Sequence, residues 1–117
     1  MIDLNKTEIL ANFDFSTAVD AIKDSYIAAS NKAVTLPPVG HIEFPQSNGD
    51  CHIKAGHIHG QSAFVIKIAT GFYDNPKKGL PSSNGMMVAF SAKTGEPIAV
   101  LKDEGWLTDM RTGIGGA

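Results

Sequence analysis

The hydrophobic period of this chain changes at Pro37-Pro38, and that change restricts the fold more than any other feature. Upstream, Phe15, Val19, Ile22, Tyr26 and Ala29 recur at three- and four-residue spacing, with Asp20, Lys23 and Asp24 between them. This is the pattern of a helix that buries one face. Asp14 stands where an N-cap belongs, and a shorter helical stretch, residues 6–11, follows a strand-like segment at residues 2–4. The two prolines cannot continue a helix and set extended backbone. Downstream, to residue 101, the sequence reads as strands. The expected fold is therefore α+β, with amino-terminal helices packed on one face of a mostly antiparallel β-sheet.

Within the strand region, residues 41–44 and 51–58 flank the turn-forming Ser47-Asn48-Gly49-Asp50, and residues 64–70 are rich in apolar and β-branched side chains. These three segments read as a meander. Residues 71–85 carry Asn75-Pro76, Gly79, Pro81, Ser82, Ser83 and Asn84, and read as a long polar loop of the kind that usually serves a function. Residues 86–90 and 97–101 then form a hairpin around Lys93-Thr94-Gly95-Glu96, with glycine where positive φ is needed. A last helix is expected to open at Thr108.

A chain of 117 residues supports one domain, and 43% hydrophobic residues suffice for one modest core. Ten Lys+Arg against 12 Asp+Glu leave a net charge of -2, which gives no positive field to attract nucleic acid. Lys67 interrupts the most apolar run, residues 63–69, so no segment reaches the ~20 residues that cross a bilayer. Cys51 is the only cysteine, which excludes an intrachain disulfide, and residues 1–6 lack the basic and apolar regions of a secretory signal. The expected compartment is the cytoplasm.

Lys67 is the most informative anomaly. Val65-Ile66-Lys67-Ile68-Ala69 is apolar on both parities, as a strand covered on both faces requires, and a lysine there needs a partner. Two readings fit: a side chain that snorkels at an edge or joins an internal ion pair, and an ammonium held in a pocket for a ligand carboxylate. Arg111 is the second anomaly, because a helix capped by Thr108 would place it in the first turn, where a cation is disfavoured unless an anion is present. Helix N–H groups and a guanidinium together suit a carboxylate or phosphate, and a surface pairing with Asp109 is the alternative.

Cys51, His52, His57 and His59 raise the question of zinc. His57 and His59 share one strand face while His52 has the other parity, so the expectation is no metal site and ordinary strand histidines. A sheet with a second apolar face, suggested by Val65, Ala69, Met87 and Ala89, would need covering, which points to a homodimer.

Taken in order, Val65-Ile66-Lys67-Ile68-Ala69-Thr70-Gly71-Phe72-Tyr73-Asp74-Asn75, Gly79-Leu80-Pro81-Ser82-Ser83, Thr94-Gly95-Glu96-Pro97 and Leu107-Thr108-Asp109-Met110-Arg111-Thr112 resemble the amino-terminal domain of the ornithine cyclodeaminase/μ-crystallin family. The resemblance covers nearly the whole chain. It implies that this domain supplies a substrate-carboxylate site and a dimer interface, while a following Rossmann domain binds NAD(P) and carries the catalytic aspartate. By the same resemblance Lys67 contacts substrate, Arg111 binds its carboxylate, and Thr112 lies near the nicotinamide end of the cofactor. Lys54 matches a pocket-lining position that varies in the family.

The chain also departs from that pattern. His41 stands near where the family often has an arginine after its proline-rich stretch, and Met86 falls where ornithine cyclodeaminase has a cofactor-contacting threonine. The Rossmann portion has no counterpart in the 117 residues. The resemblance therefore implies a truncated or stand-alone domain, 1–117, that binds a small amino, imino or keto acid carboxylate and dimerises. Neither catalysis nor a bound cofactor is expected of this chain alone. A structural protein with a vestigial pocket, and a fragment of an NAD(P)-dependent enzyme, are the alternatives.

Overall fold

The computed structural model describes the backbone of residues 1–115, with side chains for residues 1–24 and 27–110. In chain order the elements are β1 (Ile2–Asn5), α1 (Lys6–Asn12), α2 (Phe15–Ser30), β2 (Val34–Thr35), β3 (Gly40–Phe44), β4 (Gly49–Ile58), β5 (Ala63–Phe72), β6 (Ser83–Ser91), β7 (Pro97–Lys102) and α3 (Trp106–Gly115). The strands form one seven-stranded sheet in the order β1-β7-β6-β5-β4-β2, with β3 also paired to β4. Every pairing is antiparallel except β1 with β7. The α+β class read from the sequence is the observed one.

Local chemistry explains the helix starts. Asn5 and Glu8 form a reciprocal capping box on α1, with Glu8 N–H donating to Asn5 Oδ1 at 2.9 Å and Asn5 N–H to Glu8 Oε1 at 3.2 Å. On α2, the expected cap Asp14 accepts from Ser16 N–H at 3.0 Å and from Thr17 N–H at 3.3 Å. Val19 and Ile22 are half-buried, as the helical period predicts, but Phe15 is 58% exposed. The Tyr26 side chain lies outside the described residues. Phe13, between α1 and α2, meets Trp106 of α3 edge to face at 4.8 Å. α1 packs on β1 and β7, at the β1 end of the sheet, and α2 packs on α3.

The reading of residues 71–85 as one long loop is corrected. β5 continues to Phe72 and β6 begins at Ser83, so that Gly71 pairs with Ser83 and Thr70 with Asn84. The connection is residues 73–82, and it is bonded to itself: Leu80 N–H donates to Asn75 O at 3.0 Å, and Asn75 Nδ2 to Pro81 O at 3.0 Å. Small polar residues end the two strands because the sheet is hollowed there. The β6–β7 hairpin matches expectation, with Gly95 at φ 76°.

Few side chains are fully covered; Ile9 and Cys51 are the buried apolar ones among the described residues. The radius of gyration is 15.2 Å, against about 13 Å for a compact domain of this length. Register places Val65, Ala69, Met87 and Ala89 on the same side as Lys67. The opposite side carries Ile66, Ile68, Val88 and Ile53. Toward the β3 edge that second side is open, with Ile42 at 47% and Phe44 at 40% exposure.

Candidate functional site

The antiparallel register builds the site on one side of the sheet. Lys54 of β4 lies directly opposite Lys67 of β5, and His52 lies opposite both Ala69 and, on β3, His41. Alternation then puts Lys67, Lys54, His52, His41 and Asp50 on one face. Lys67 is half-buried and Lys54 exposed. The His41 and His52 rings stack at 4.6 Å with their planes 7° apart. His41 Nε2 lies 3.8 Å from Glu43 and His52 Nδ1 3.9 Å from Asp50.

Beyond the lysines the face sinks into an open hollow. Ala69 and Gly71 form its floor, Asp50 and His52 one wall, and Thr108 and Asp109 of α3 another. The floor is tight at Gly71, where a Cβ would come within 2.7 Å of the Tyr73 hydroxyl and 3.2 Å of Asp50 Oδ1. Tyr73 O–H donates to Asp50 Oδ2 at 3.2 Å. The neighbouring Asp50 carboxylate, by its charge and as acceptor of that bond, holds the Tyr73 phenol above its ordinary value.

Asp50 and Tyr73 are not among the candidate residues read from the sequence, and His52 is raised there only as a metal ligand. The signal was parity: counting back from Lys54 in twos gives His52 and Asp50. Placing the strand start at Cys51 left Asp50 in a turn, and the loop reading did the same to Tyr73.

The start of α3 is corrected as well. The helix begins at Trp106, not Thr108, and Asp103 Oδ2 accepts from Leu107 N–H at 2.6 Å. Arg111 is therefore past the first turn, and the argument that a first-turn cation demands an anion does not apply to it. The side chains of Arg111 and Thr112 lie outside the described residues. Met86 pairs with Ile68 and so lies on the opposite side of the sheet from Lys67.

The histidines at the far end of β4 and just beyond it have partners of their own. His57 Nε2 donates to Gln61 O at 2.9 Å, and His59 Nε2 bonds Thr35 Oγ1 at 3.0 Å.

The fit of a dinucleotide can be tested at the turn between β7 and α3. There the Asp103 carboxylate, 1% exposed, holds the Leu107 amide that a phosphate would need, and Asp109 adds a second negative charge in the first turn. Gly113 and Gly115 lie within α3 and form no turn. This turn does not fit a pyrophosphate.

The fold and face together define an α+β domain that presents paired cations beside an open hollow. The chain belongs to the ornithine cyclodeaminase/mu-crystallin family, whose profile matches residues 2–117. It is 48% identical over 101 residues to an uncharacterised cyclodeaminase of Sinorhizobium fredii, covering 86% of this chain and 30% of that one. In structure it resembles the Thermococcus litoralis Δ1-pyrroline-2-carboxylate reductase in complex with NADH and L-proline, with a TM-score of 0.91 and 25% identity over 99% of this chain and 36% of the other. An archaeal alanine dehydrogenase dimer with bound NAD is similar at a TM-score of 0.90 and 26% identity, over 99% of this chain and 35% of the other. The chain thus spans about a third of the length of these relatives. Among the described residues no helix is long and apolar enough to cross a membrane.

Proposed function

We propose that residues 1–117 form a domain that binds the carboxylate of a small amino, imino or keto acid and pairs with a second copy through the sheet. The observation that carries the binding half is the direct opposition of Lys54 and Lys67 in adjacent central strands. Two ammonium groups so placed concentrate positive charge on one face of the sheet, which favours an anion there. In this reading Lys67 and Arg111 hold the α-carboxylate, His41 and His52 shape the approach, and the hollow accommodates the rest of the ligand. Relatives of this domain are named as reductases, dehydrogenases and cyclodeaminases, and two of their structures hold NADH or NAD. Hydride chemistry is assigned to no residue of this chain, with Thr112 at most lining the nicotinamide end.

The dimer half rests on the open apolar side of the sheet, where Ile42, Phe44 and Ile53 are between 38% and 47% exposed. Burying that side against its copy removes it from water without a new fold. A soluble cytoplasmic setting follows from the same reading.

The test is an amide-shift NMR titration with proline, ornithine, alanine and pyruvate on the wild type, Lys67→Ala and Arg111→Ala. Shifts clustered at residues 52–54, 67–71 and 105–109, and lost in both variants, are expected. Identical shifts in all three proteins would sink the carboxylate site. Light scattering should report a dimer at micromolar concentration, and a monomer there would remove the pairing.

A further inference from the structure

Lys67 and Arg111 suffice for one carboxylate, and Lys54 adds a further cation to the same face. Lys54 is exposed, shares the face of Lys67, and has no hydrogen-bond or ion-pair partner among the described residues. Its flank is open. β3 begins at Gly40 opposite Ile53, and β2 ends at Thr35 opposite His57, so no strand residue stands across from Lys54 on that side. Among the strand residues, the nearest carboxylates on its face belong to Asp50, four residues along β4, and to Glu43 opposite Asp50. That separation is about 13 Å along the strand. Asp50 also accepts from Tyr73, and it lies beside His52 as Glu43 does beside His41. Lys54 therefore shares the sheet face of Lys67 and has no ion-pair partner among the described residues.

We infer that Lys54 is a specificity-determining residue, whose ammonium receives the second carboxylate of a short-chain dicarboxylic amino, imino or keto acid. This rests on the reading of the Lys67 face as the site of the α-carboxylate. A monocarboxylate held by Lys67 and Arg111 supplies no second anion for Lys54. A side-chain carboxylate of two or three carbons reaches it and balances the pair.

The test compares 2-oxoglutarate and aspartate with pyruvate and alanine at low ionic strength, by NMR titration of the full chain and of Lys54→Met, Lys54→Arg and Lys67→Ala. The dicarboxylates should bind about tenfold or more tightly than the monocarboxylates, as one extra charge-assisted contact allows. That ratio should fall to near one in Lys54→Met and recover in Lys54→Arg. If the ratio is near one in the wild type, or survives Lys54→Met, the assignment of Lys54 is overturned, while loss of all binding in Lys67→Ala still upholds the carboxylate site. If Lys67→Ala binds every ligand as the wild type does, or if no ligand binds, the site itself fails and the inference falls with it.

Discussion

Asp103 and Leu107 are joined across the first turn of α3: the carboxylate accepts the Leu107 amide at 2.6 Å from a position that is 1% exposed. This bond does what a side-chain N-cap does for a helix start, from two residues before Gly105. It also fixes the end of the helix that walls the hollow with Thr108 and Asp109. Asp103→Ala should cost about 1–2 kcal/mol, because it frees a helix amide, a loss offset in part by removal of the buried Oδ1, which has no hydrogen-bond partner among the described residues. Thermal unfolding should show the loss, and amide exchange at residues 106–109 should accelerate. An unchanged melting temperature would show that the bond is not what holds α3.

Tyr73 gives a pH signature for the hollow. Its phenol is held above the ordinary 10.0 by the charge of Asp50 first and by the hydrogen bond to it second. A raised native value means that the folded state holds the proton more tightly, so this contribution is complete below pH 10 and is lost as pH rises through the native value. NMR titration of the Tyr73 ring should show the elevation in wild type and its decline toward the ordinary value in Asp50→Asn. An Asp50→Asn titration that overlays the wild type would dissociate the two groups.

Much of this arrangement was legible in the sequence, and the parts that were not have physical reasons. The helical period and the Asp14 cap placed α2, and Gly95 placed the last hairpin, because local sterics and capping decide both. The ends of β5 and β6 were lost because Gly71, Ser83 and Asn84 carry loop chemistry, although they continue a ladder. The opposition of Lys54 and Lys67 depends on register. Alternation gives each strand two faces, but a slip of one residue between strands would put the two lysines on opposite sides. The α3 start was misplaced because its capping carboxylate lies three residues before Trp106, with a turn between them.

Asp14 supplies a second pH dependence, of opposite sign. Bonds from the Thr17 amide, the Thr17 hydroxyl and the Ser16 amide hold its carboxyl below the ordinary 3.8. A depressed native value makes the cap's contribution present above the ordinary value and lost as pH falls through the native one. Acid unfolding followed by circular dichroism should begin at higher pH in Asp14→Ala at matched protein concentration. Asp14→Asn should retain more helix than Asp14→Ala at neutral pH, since its carbonyl still accepts. Equal stability of the two variants at neutral pH would rule out the cap as their common cause.

The turn that carries the chain from β7 into α3 can be improved. Glu104 and Gly105 both have positive φ, at 56° and 85°, and Trp106 N–H donates to Asp103 O at 3.0 Å. Two successive positive φ values closed by this bond are the signature of a type I′ turn, which favours asparagine, aspartate or glycine at its first central position. Glu104 is exposed. It bears a side chain in a left-handed conformation, and a non-glycine residue there costs roughly 1–2 kcal/mol. Glycine removes that strain but is freer in the unfolded chain, so the net gain of Glu104→Gly should be about 0.5–1 kcal/mol. Glu104→Asn should gain less, and Glu104→Val should destabilise, because a β-branched side chain is strained most where φ is positive. Urea unfolding of the three variants should rank them in that order; a stabilised Glu104→Val would mean that the turn does not adopt this geometry in solution.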